Sequence, residues 1–130
     1  MKKIIYLLLC VFPMLLSCNN EKESDELTEY YVRYEYDFTY DYNSGRNIPK
    51  WKFSFKTVDG TIIDIISKNN QFNETIGPVR KGFEANISVS WMEGYGSGIT
   101  NLKIYVAKGN EPFALKEISN STTASYTIDF

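Results

Sequence analysis

From Tyr30 onward, apolar and polar positions alternate along the chain. Val32, Tyr34, Tyr36, Phe38, Tyr40 and Tyr42 are interleaved with Arg33, Glu35, Asp37, Thr39 and Asp41. Successive side chains of a strand point to opposite faces. This pattern therefore predicts one long strand with a buried aromatic face and a solvated charged face. Asn43, Ser44, Gly45, Arg46 and Asn47 read as a turn, after which Trp51, Phe53 and Phe55 alternate with Lys52, Ser54 and Lys56 in a second strand.

Asp59-Gly60 marks a hairpin whose register can be derived from the side chains it would pair. A two-residue loop at Asp59-Gly60 sets Phe55 opposite Asp64. A three-residue loop of Val58, Asp59 and a left-handed Gly60 sets Phe55 opposite Ile63 and Phe53 opposite Ile65. The second register gathers apolar groups on one face and is the one expected. It sends Ile62 and Ile66 to the other face, beside Lys52 and Lys56, so that face is not wholly polar.

Residues 67–82 look irregular, with Lys68-Asn69-Asn70 and Gly77-Pro78 as breakers around at most a short strand. Alternation resumes at Phe83, Ala85, Ile87, Val89 and Trp91, then at Leu102, Ile104 and Val106. It continues through Phe113–Ser119 and ends with Ala124, Tyr126, Ile128 and Phe130, which predicts that the last residues are held in a sheet. No window carries an apolar repeat of helical period. About seven short strands without helices predict an all-β fold, an antiparallel immunoglobulin-like sandwich over residues 30–130.

The first residues follow a different rule. Lys2 and Lys3 precede an apolar run from Ile4 to Leu16, which Pro13 interrupts and which is too short to span a bilayer, where about 20 apolar residues are needed. The run closes on Leu15-Leu16-Ser17-Cys18, which resembles the lipobox of bacterial lipoproteins. That resemblance implies removal of residues 1–17, acylation of Cys18 and tethering to a membrane by two or three acyl chains. Residues 18–29 hold five acids and one large apolar residue, a composition that forms a flexible tether rather than a core. The layout of signal, lipobox, acidic tether and one sandwich resembles the small lipoproteins of Bacteroidetes. It implies the outer membrane of a diderm bacterium, with the domain facing the periplasm or the cell surface. The stretch from Phe83 to Tyr126 is also similar to a sandwich module of small mycobacterial membrane proteins that assist transporters, although no functional residue carries over.

Composition narrows the chemistry. The chain has no histidine, and of its two cysteines Cys10 lies inside the signal while Cys18 is the lipid site. A domain with neither free thiol nor imidazole has no Ser-His, Cys-His or zinc-histidine chemistry, and it must be stable without a disulfide. The net charge of −2 becomes more negative once Lys2 and Lys3 are removed, which disfavours nucleic acid as a partner.

The remaining candidates are few. Glu35, Asp37 and Asp41 share one strand face, and Asp64 could lie near them. Such acids are the ordinary dress of a solvated face, with calcium binding and two-carboxylate hydrolysis as the sharper alternatives. Tyr95, between glycines, and nearby Trp91 could stack on a sugar or anchor a protein, and Ile62 and Ile66, if outward, could form an apolar patch. The Gly94–Gly98 run lacks the following helix that phosphate binding requires. Together these features predict a non-enzymatic binding or accessory domain without cofactor, contacting an envelope protein or a glycan. The alternatives are a structural subunit or cap of an envelope assembly, an inhibitor of an envelope toxin and, more remotely, a hydrolase.

Overall fold

Alternating side chains leave each strand with one face to bury, and in this computed structural model two sheets bury those faces against each other. The structure describes residues 27–40, 50–93 and 98–130. The strands are β1 (Tyr30–Tyr40), β2 (Lys50–Lys56), β3 (Ile62–Ser67), β4 (Gln71–Val79), β5 (Glu84–Glu93), β6 (Gly98–Lys108), β7 (Ala114–Ser119) and β8 (Thr123–Thr127). One sheet has the order β4-β1-β6-β7 and the other β3-β2-β5-β8, with every pairing antiparallel. Hairpins β2–β3 and β6–β7 stay within a sheet, whereas the other connections cross between sheets.

The core is largely aromatic. Tyr30, Val32, Tyr34, Tyr36 and Phe38 of β1 face Trp51, Phe53 and Phe55 of β2, and all are buried. Ring centroids lie 5.4 Å apart for Tyr34–Phe55, 4.9 Å for Tyr36–Phe53 and 4.7 Å for Phe38–Trp51. These pairs set the two strands antiparallel across the core, so the β2–β3 hairpin tip lies toward the Tyr30 end of β1. Ala85, Ile87, Val89, Leu102, Ile104 and Val106 complete the filling. Each large side chain so buried contributes about 1.5–3 kcal/mol relative to exposure.

The predicted hairpin register is the one found. Phe55 pairs with Ile63 and Phe53 with Ile65, while Lys52 stands opposite Ile66 and Lys56 opposite Ile62. Gly60 adopts φ 84°, and its N–H donates to the Thr57 carbonyl at 3.0 Å, closing a three-residue loop.

Two expectations are corrected. Residues 71–79 are not irregular: they form β4, and the strand count is eight among the described residues. Gly77 and Pro78 read as breakers, yet β4 is an edge strand, where a proline without an N–H costs no ladder bond. The pairing with β1 shifts by one residue there, between Tyr30 and Val32. The end of the chain also leaves the sheet earlier than the alternation implies, since β8 stops at Thr127. Ile128 remains buried and exchanges backbone bonds with Gly82 and Phe83, and the Tyr30 hydroxyl donates to the Phe130 carbonyl.

Candidate docking edge

Among the described residues the sandwich has four edge strands, and three of them are blunted. β4 carries the irregularity at Gly77-Pro78, β7 a bulge where it passes Ile104 and Tyr105, and β8 spans only five residues. Bulges, prolines and short length all hinder the addition of another strand. β3 has neither bulge nor proline: its pairing with β2 runs from Ile62 to Ser67 without a register shift, although at six residues it is only one longer than β8. Its sequence, Ile-Ile-Asp-Ile-Ile-Ser, is also the most apolar of the edges.

The exposure along β3 follows from its place. Ile62 is 65% and Ile66 59% exposed on the outer face, as the register requires, with Asp64 between them. Ile63 turns inward yet remains 41% exposed, because the facing edge strand does not cover it, whereas Ile65 packs against the core. Val58 at the hairpin tip extends the apolar surface. Alternation alone sends Ile62 and Ile66 outward, whereas the exposure of Ile63 depends on what lies across the sandwich and that of Val58 on its place in the hairpin loop.

The tip is fastened by a polar knot. The Asp59 carboxylate accepts from the Thr57 hydroxyl at 2.5 Å, the Thr61 hydroxyl at 2.7 Å and the Thr61 N–H at 3.0 Å. Those bonds to the charged form, from Thr57 first, hold its carboxyl down at about 2. Asp64 is likewise held below the usual carboxylate range, chiefly by the Ser54 hydroxyl and further by Lys52, whose Nζ lies 3.6 Å away. Lys50 and Lys56 pair with Glu93 and Glu84 at 2.6 and 3.9 Å, so the face beside the edge is close to neutral.

The other sequence candidates fall elsewhere. Trp91 lies on the inner face of β5, its ring edge-on to Trp51 at 4.6 Å, and is 36% exposed at the end of the sandwich. It therefore serves packing and does not share a surface with Ile62 and Ile66. Cys18, Asp41 and Tyr95 lie outside the described residues. Asp64 does not lie near Glu35 and Asp37, because it occupies the outer face of the opposite sheet. Glu35 and Asp37 instead line a shallow depression of about 350 Å³ with Gln71, Asn73 and Lys103. Beside it Arg33 stacks on Tyr105 and Phe113 at 4.6 and 4.7 Å and pairs with Glu35 at 3.0 Å. Among the described residues no three potential ligands gather to hold a metal ion, and no helix is long and apolar enough to cross a membrane.

Comparison with protein families, curated proteins and solved structures finds no match for this chain.

Proposed function

We propose that this chain is a lipid-anchored docking module of a bacterial cell envelope, which binds a protein partner along β3 and performs no chemistry of its own. The observation that supports the docking role is the contrast between edges: β3 is regular, apolar and exposed at Ile62 and Ile66, whereas β4, β7 and β8 are blunted. An exposed strand edge offers main-chain hydrogen bonds to an added strand, and alternate side chains give selectivity. A flat apolar strip suits a protein better than a sugar, which calls for a groove with an aromatic platform. The lipobox at Leu15–Cys18 supports the anchor, and the acidic residues 18–29 supply a tether that lets the domain reach a neighbour.

A photo-crosslinking residue at Ile62 or Ile66 in the membrane-held protein tests this, with Asn73 on the opposite outer face as control. Discrete adducts to an envelope protein are expected from the two β3 positions and not from Asn73. Equal adducts from both faces, or none from β3, would sink the docking reading. Cys18→Ser is expected to release the protein from membranes; continued retention would refute the anchor.

A further inference from the structure

The Thr57 N–H donates to the Thr61 carbonyl at 2.8 Å, so this pair is hydrogen-bonded. Hydrogen-bonded and non-hydrogen-bonded pairs alternate along an antiparallel ladder. It follows that Ile63 and Ile65 point their backbone groups toward β2, whereas Ile62, Asp64 and Ile66 turn theirs to the open edge. The same three residues hold their side chains on the outer face. An added strand thus meets backbone and side-chain information from one set: isoleucine, aspartate, isoleucine at alternate positions.

That order excludes some occupants. A second copy pairing by a two-fold axis can match Ile62 with Ile66 of the copy only by setting Asp64 against Asp64, with Cα atoms about 5.5 Å apart. Like charges directly opposite destabilise a pair of strands. The next registers in either direction oppose Asp64 to an isoleucine and carry one end onto Gly60 or Lys68. Asp64, the lone acid of β3, keeps its exposed charge beside Lys52 at 3.6 Å and so guards the edge against self-association, a device edge strands commonly use.

We infer that the open edge of β3 accepts an extended segment of a partner protein with the pattern apolar-x-basic-x-apolar. Its basic side chain stands opposite Asp64, and its apolar ones stand beside Ile62 and Ile66. The pattern reads the same in both directions, so it holds for parallel and antiparallel addition. This inference rests on the docking reading and adds the chemistry of the docked segment.

The test uses the full-length protein in detergent with two peptides, Thr-Ile-Thr-Lys-Thr-Ile-Thr and the same peptide with Glu for Lys. The lysine peptide is expected to bind roughly three- to tenfold tighter and to slow amide exchange at Ile62, Asp64 and Ile66. Asp64→Lys is expected to reverse the preference. That variant's own β3 carries the proposed pattern, so an equimolar mixture with wild type should form heterodimers in sedimentation while each protein alone stays monomeric. Equal binding of both peptides, or wild type associating with itself as strongly as the mixture, overturns the inference. If Asp64→Lys fails to fold, the peptide preference on wild type still decides. Crosslinks from Ile62 to a segment lacking a basic residue would remove this inference and leave docking intact. A peptide preference without crosslinks in the envelope would sink the docking reading, and this inference with it, and leave only the pairing chemistry of the edge.

Discussion

Tyr36 and Trp51 pack with ring centroids 5.7 Å apart, and each buries a polar atom, Oη and Nε1, that has no hydrogen-bond partner among the described residues. Burial and the nearby Asp37 charge push the Tyr36 hydroxyl well above its ordinary range, so it stays neutral. Tyr34, one inward position away, donates from its hydroxyl to the Lys56 carbonyl at 2.9 Å. The contrast makes a controlled pair. Tyr36→Phe is expected to leave stability unchanged or raise it by up to about 1 kcal/mol, and Tyr34→Phe to lower it by about 1 kcal/mol. Urea midpoints of the two variants check this; equal losses would show that the Tyr36 hydroxyl has a partner after all.

Asp59 makes the hairpin tip sensitive to acid. Its folded carboxyl is held at about 2, below the ordinary value of 3.8. Its contribution is therefore complete above the ordinary range and is lost as pH falls through about 2. The expected result is an NMR titration of the Asp59 carboxyl displaced to low pH, with the Thr61 amide resonance moving in parallel. Asp59→Asn should abolish that movement. A titration at the ordinary carboxylate pH would mean the knot with Thr57 and Thr61 does not hold in solution.

Alkali should act through Tyr36, whose hydroxyl is pushed by burial far above its ordinary value, and through Tyr34. Burial raises the Tyr34 hydroxyl to about 12 from 10.0. A raised folded value means that stability is complete below the unfolded value and is lost as pH rises from 10.0 toward about 12. Tyrosinate absorbance should show exposed tyrosines ionising first and a later step that coincides with loss of β-structure. Ionisation of every tyrosine in one phase near the ordinary value, with the fold intact, would contradict this.

Gly77 answers to sterics. It has φ 147°, and a Cβ built there lies 2.5 Å from Cδ1 of Tyr31 and 3.0 Å from the Tyr30 carbonyl oxygen. Gly77→Ala is expected to destabilise by about 1–3 kcal/mol, from strain together with displacement of the Tyr31 ring. Gly82→Ala is the comparison, because it has a left-handed φ of 85° but open space around its Cβ. It should cost less in thermal denaturation; equal losses would assign the effect to backbone conformation alone.

How much of this was legible before folding differs from place to place. The β1 and β2 alternation, the three-residue hairpin and the outward Ile62 and Ile66 follow from periodicity of two, which is a local property of a strand. β4 was hidden because Gly77 and Pro78 signal interruption, and only an edge position makes them tolerable. Charge alone groups Asp64 with Glu35 and Asp37, whereas sheet order places them on opposite outer faces. Likewise, Trp91 belongs by alternation to the inner face, but its partial exposure depends on Trp51 and the end of the sandwich.

The proposed anchor at Cys18 rests wholly on linear order, because an export signal would act on the extended chain before any fold exists. The docking edge is the opposite case. Which strand ends a sheet is settled by non-local pairing, and no periodicity records it. Ile62, Asp64 and Ile66 become a candidate binding strip only because β3 has β2 on one side and no strand among the described residues on the other.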